Sequence, residues 1–158
     1  ANVIARVIQL AETAAVYARR RERTMFGDDV WALIEQGRMI TAEEYINAQR
    51  LRTLFRREFD ALWQKIDILA APSTPVTAPR LEETTVQIGA QEEDTRLAST
   101  RLTRPINLVG EPALSLPCGK DSLGLPIGLQ LIGAPFSEPR LLQVAKMIEL
   151  TLDGPAGQ

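Results

Sequence analysis

Three short apolar runs constrain what this chain can fold into more than any other feature. They are residues 67–71 (DILAA), 113–117 (ALSLP) and 127–132 (IGLQLI), each bounded by Pro or Gly. Short runs of this kind read as strands buried on both faces, and such strands need helices above and below and further strands at their sides. Gly119, Asp121, Ser122, Gly124 and Pro126 stand between the second and third runs, so these two are expected to pair as an antiparallel hairpin. Three strands are few for an α/β layer. The sheet therefore reads as unfinished, with more of it expected from residues that this sequence lacks.

The helical patterns are plentiful. Val3, Ile4, Val7, Ile8, Ala11 and Ala15 predict a first long helix, and a short one is expected from an Asp29 N-cap to Gln36, ended by Gly37. Thr41 followed by Glu44 is a capping box, and Ala48, Leu51, Phe55, Phe59, Leu62 and Ile66 form one stripe of a third helix behind it. Arg50, Arg56, Arg57 and Asp60 mostly fall elsewhere on that helix. Residues 1–66 are thus helical, and 67–153 hold the strands and a final helix. Within the second part, residues 76–93 read as a long surface loop and 94–104 as a short helix that stops at Pro105. Ser137 is expected to cap the last helix, with Leu141, Val144, Ala145, Ile148 and Leu152 as its stripe and Gly154 beyond its end.

Composition removes several kinds of function. The 158 residues are 45% hydrophobic and carry a net charge of -2, which suits one packed domain and no polyanion-binding surface. There is no His, so Ser-His-Asp and Cys-His catalysis and His-built zinc sites are excluded within the chain. Cys118 is the only Cys, which rules out an intrachain disulfide and fits a reducing, cytoplasmic setting. No apolar run approaches the roughly 20 residues of a membrane span, and nothing resembles a signal peptide. The sequence begins with Ala1 inside a helical pattern, as a fragment or a processed chain would.

Without His, the remaining hydrolytic options are a Ser or Thr nucleophile with a Lys base, or paired carboxylates. Lys65, Lys120 and Lys146 are the only lysines, and each reads as a solvated surface cation. Glu92, Glu93 and Asp94 could hold a divalent ion, but a run of like charges in a loop reads first as solvated. Cys118 reads as a half-buried structural thiol and Ser115 as a hydroxyl bonded to backbone. Gly110, Gly119, Gly124, Gly128 and Gly133 lack phosphate-loop spacing and mark turns and close backbone approach. The residues alone compose no self-sufficient catalytic site.

The strings DILAAPSTP (67–75), RPINLVGEPALSLPCG (104–119) and GLPIGLQLIGAPFSEPRLL (124–142) resemble the C-terminal third of amidase signature family enzymes. Tyr45, Ala48 and Arg52 fall at the family's spacing in the long helix before the first string. The resemblance implies an α/β fold: the C-terminal part of a single α/β/α domain around a mixed sheet flanked by helices. It also implies a cofactor-free hydrolase of a small-molecule amide, with no membrane or direct nucleic-acid partner. The family's Ser nucleophile, its second Ser in a cis peptide and its Lys base lie upstream of this region, and none matches a position here. The chain alone is therefore expected to be inactive, and to self-associate through surface that the absent part would cover.

One branch of the family, the glutamyl-tRNA amidotransferases, carries in its A subunit an Arg at the place of Arg52 and an Asp at that of Thr100 to grip glutamine. Arg52 is retained and Thr100 is not an acid, which points toward an amidase for another amide. Arg52 reads as substrate-binding or as helix packing. Arg101 and Arg104 read as surface charges that could also favour an acidic substrate. Two alternatives remain, a non-catalytic binding module and the amidotransferase's A subunit.

Overall fold

The computed structural model describes residues 1–19 and 22–152. The chain divides into two compact units, Ala1–Glu58 and Phe59–Gln158. The elements in order are α1 (Asn2–Val16), a 3-10 turn (Arg23–Met25), α2 (Asp28–Arg38), α3 (Ala42–Leu62), β1 (Ile68–Pro72), β2 (Thr85–Ile88) and β3 (Gln91–Asp94). They continue with α4 (Thr95–Thr100), α5 (Arg104–Val109), β4 (Ala113–Lys120), β5 (Pro126–Gly133) and α6 (Glu138–Leu152).

In the first unit α1 packs on α2, burying Ala5, Ile8 and Ala14 of the one and Ile34 of the other. The sequence reading placed Gly37 at the end of α2, and the structure corrects this. Gly37 lies inside the helix, where a Cβ would sit 2.1 Å from the carbonyl oxygen of Leu10, so its missing side chain is what lets the two backbones touch. The N-cap is Gly27, and Asp29 stands in the first turn beside Asp28, where both complement the helix dipole. The capping box of α3 forms as expected. The Thr41 backbone N–H and hydroxyl donate to Glu44 Oε2 at 2.8 and 2.9 Å, and the Glu44 N–H donates back to Thr41 Oγ1. The apolar stripe behind it fares differently: among the residues of α3 only Ala48 is buried, Leu51 is 48% exposed, and the helix stops at Leu62, short of Ile66.

In the second unit β1, β5 and β4 form an antiparallel sheet in that order, with the expected hairpin between β4 and β5. Ile68 faces Gly133, and Leu131 lies between Ala70 and Leu114. Period-two alternation puts Leu114, Leu116, Leu129 and Leu131 on one face. That face takes Leu141, Val144, Ala145 and Ile148 of α6 into a common core. Ser137 precedes α6, and its hydroxyl donates to the Ala134 carbonyl oxygen at 2.7 Å. Gly154 lies outside the described residues.

Two further expectations are corrected here. Residues 76–93 hold β2 and all of β3 but its last residue, Asp94, in a hairpin that Gly89 turns with a φ of 61°. Pro105 does not stop a helix: it stands in the first turn of α5, where a residue without an N–H is tolerated. Gly110, with φ 81°, ends that helix in the left-handed conformation.

Candidate functional site

The sheet face opposite α6 carries a different chemistry, because the same alternation turns Ser115 and Gln130 toward it. Ser73, one residue beyond β1, places its hydroxyl 2.5 Å from that of Ser115 in a hydrogen bond across the sheet. Its backbone N–H donates to the Gly128 carbonyl oxygen at 2.8 Å. A Cβ on Gly128 would lie 2.7 Å from Ser73 Oγ and 3.1 Å from Ser115 Oγ, so the glycine makes room for the pair. Ser115 thus bonds to a side-chain hydroxyl, where the sequence reading expected backbone. Ser73 was missed; its signal was a hydroxyl directly after an apolar run and opposite a glycine of another.

From Ser73 the chain runs as a proline-punctuated strap over residues 73–80, and a second contact fastens its middle. Thr77 Oγ1 donates to Asp121 Oδ2 at 2.7 Å, while Asp121 Oδ1 accepts the backbone N–H groups of Leu123 and Leu125 at 2.8 and 2.9 Å. Thr77, then the Leu125 amide, holds the Asp121 carboxyl below the ordinary carboxylate range. The strap, β2 and the β4–β5 turn border an open groove of about 470 Å³, with Val76, Pro79, Val86, Leu123 and Leu125 among its lining.

Arg52 stands half-buried on α3 in the first unit, and Thr100 half-buried at the end of α4 in the second. The Thr100 hydroxyl donates to the Arg96 carbonyl oxygen at 3.0 Å and accepts from Arg104 Nη2 at 2.5 Å. Arg101 forms an ion pair with Glu93. The three acids at 92–94 are used separately: Glu92 accepts from the Thr85 hydroxyl, Glu93 takes Arg101, and Asp94 caps α4 through the N–H groups of Arg96 and Leu97. Among the described residues no cluster of Cys, Asp and Glu suits a metal ion. Lys146 pairs with Glu149 at 2.9 Å, and Lys65 and Lys120 are exposed. Cys118 is half-buried at the irregularity in the β4–β5 register between Pro117 and Gly119. No helix is long and apolar enough to cross a membrane among the described residues.

Known proteins resemble this chain over most of its length. The A subunit of glutamyl-tRNA(Gln) amidotransferase from Synechococcus sp. (strain CC9605) is 40% identical over 146 residues, which are 88% of this chain and 28% of that one. A solved structure of an amidase superposes with a TM-score of 0.85 at 28% identity, over 90% of this chain and 33% of the other. A structure from a vestigial protein complex bearing on the origins of an s-triazine catabolic enzyme gives a TM-score of 0.88 at 29% identity, over 95% of this chain and 34% of the other. This chain thus spans about a third or less of the proteins it matches. The profile of the Amidase family matches residues 1–142, and the chain belongs to that family.

Proposed function

We propose that this chain is the C-terminal part of an amidase that hydrolyses an amide C–N bond by Ser-cisSer-Lys chemistry located on upstream residues. The observation that carries the reading is the family match over 142 of the 158 residues by a chain one third the length of its relatives. The side chains support it, since the Ser73–Ser115 pair has none of the three lysines among its hydrogen-bond partners and the chain holds no His. A hydroxyl without a base is a weak nucleophile. In this reading the chain supplies strands, flanking helices and part of the pocket of a cytoplasmic, cofactor-free enzyme for a small amide, with Arg52 and Thr100 meeting the substrate.

The A subunit of glutamyl-tRNA amidotransferase is the second reading, favoured by the 40% identity to the Synechococcus protein. The Thr at position 100 weighs against glutamine, because a neutral hydroxyl already hydrogen-bonded to Arg104 offers an ammonium group no counter-charge.

The test is an assay of the purified chain on simple aliphatic and aryl amides, alone and with a separately produced upstream part of the same polypeptide. Hydrolysis that needs both pieces supports the reading. Turnover by the chain alone, abolished in a Ser73→Ala/Ser115→Ala double variant, refutes it. Glutamine binding by the assembled protein would select the amidotransferase.

A further inference from the structure

Residues 95–110 carry Arg96, Arg101 and Arg104 and no acid, in a chain whose net charge is -2. The sequence reads Arg101 and Arg104 alike, and the structure separates them. Arg101 is exposed, and Glu93 meets its charge. Arg104 is half-buried, and among the described residues its side chain has one partner, the neutral hydroxyl of Thr100 at 2.5 Å. The preceding acids are engaged elsewhere: Glu92 accepts from Thr85, Glu93 pairs with Arg101, and Asp94 caps α4. Glu111 stands beyond the opposite end of α5. A guanidinium partly out of water and bonded to a neutral group keeps its charge, and it has N–H groups left for an anion. A carboxylate suits it best, because the two planar groups match in paired hydrogen bonds. The Thr100 hydroxyl is used on both sides, donating to the Arg96 carbonyl oxygen and accepting from Arg104, so the charge presented beside Thr100 is that of Arg104.

We propose that Arg104 is a specificity-determining residue, and that the substrate is an amide bearing a carboxylate at the end remote from the scissile C–N bond. The proposal rests on the reading above that Thr100 meets the substrate. Thr100 fixes one Nη of the guanidinium, and the remaining N–H groups bind the carboxylate. An amide with an ammonium group at the same end meets a like charge and is rejected.

The experiment uses this chain assembled with the upstream part of the same polypeptide. It compares kcat/KM for succinamate, glutaramate and adipamate with that for neutral alkanamides of equal chain length. A preference for one or more of the carboxylates of about tenfold or more is expected. Arg104→Gln should lower that preference by a similar factor, and Arg104→Lys should restore part of it. Arg101→Gln removes an equal charge from the same segment and should keep the preference. Calorimetric titration with succinate, glutarate and adipate adds a readout that needs no turnover: saturable binding is expected, weakened about tenfold by Arg104→Gln. Equal kcat/KM for carboxylate-bearing and neutral amides overturns the proposal and leaves the hydrolase reading standing. Dicarboxylate binding that Arg104→Gln weakens, without hydrolysis of either series, supports the carboxylate site and refutes the hydrolase reading. An equal loss of preference in Arg101→Gln and Arg104→Gln also overturns the proposal, because the effect then belongs to the charge of the segment and not to Arg104.

Discussion

Gly37 and Glu44 stand seven residues apart, and the sequence conveys them unequally. The Thr41–Glu44 box is local: three residues of spacing and two side-chain types specify all its bonds, so it can be read without a structure. Gly37 depends on Leu10, whose carbonyl lies on another helix, and a glycine near the end of a periodic pattern looks the same whether it ends the helix or admits a neighbour. A Gly37→Ala substitution should therefore destabilise the first unit by about 1–3 kcal/mol, as overpacking does, although alanine is the better helix former. Thermal unfolding of the variant checks this, and an unchanged or higher Tm would return Gly37 to a role at the helix end. Two carboxyls make a sharper claim. The Thr41 amide and hydroxyl lower the pKa of Glu44, and Thr77 and the Leu125 amide lower that of Asp121. A carboxyl whose pKa is lower folded than unfolded contributes stability that is present above its unfolded pKa and lost as pH falls through the folded value. Both contributions should vanish on the acid side, below the ordinary carboxylate value of about 4. Carboxyl-resolved NMR titration should place the Asp121 midpoint lower in the native chain than in Thr77→Ala, and the Glu44 midpoint lower than in Thr41→Ala.

Among the elements, the strands that pair into the three-stranded sheet were legible and the hairpin was not. DILAA, ALSLP and IGLQLI announce themselves as short apolar runs, but burial on both faces holds only for the end of β5, where Leu131 and Ile132 are each 1% exposed; β4 buries only Leu116 and β1 has no buried residue. β2 and β3 read TVQI and QEED, too short and too polar for a periodicity to rise above a loop. They are held by polar contacts instead: Thr85 on Glu92, Thr95 on the Glu83 carbonyl oxygen, Arg101 on Glu93, and the local Asp94 cap that joins the hairpin to α4. Asp94→Ala leaves the Arg96 and Leu97 amides unsatisfied and should cost about 1 kcal/mol. Hydrogen exchange should then rise over residues 85–100 while the β4–β5 ladder keeps its protection. A Leu131→Ala change belongs to the other class. It empties a site between β1, β4 and α6 and should cost about 2–5 kcal/mol, seen as loss of protection throughout the sheet.

For the whole molecule, the relevant feature is apolar surface that the two units leave in water. Val3 is 77% exposed, Met39 81%, Leu54 54%, Met147 67% and Leu150 62%, and α3 buries only Ala48 along a face of five apolar positions. Scattered exposed side chains are ordinary, but a helix of 21 residues with one buried position does not draw its stability from packing within the chain. The chain spans about a third of the relatives it matches, and our proposal places the cover of these faces in the remainder of such a protein. The three apolar runs lead to the same expectation from sequence, whereas the surface involved was not legible, because the α3 stripe reads identically whether its cover lies in this chain or outside it. The purified chain should therefore associate with itself in a concentration-dependent way and bind an apolar dye. Leu54→Glu on α3 should reduce both, and adding the upstream part of the polypeptide should abolish both. A monodisperse monomer by light scattering, with no dye binding, would mean that the exposed faces are stable in water and that the chain needs no further polypeptide to complete its fold.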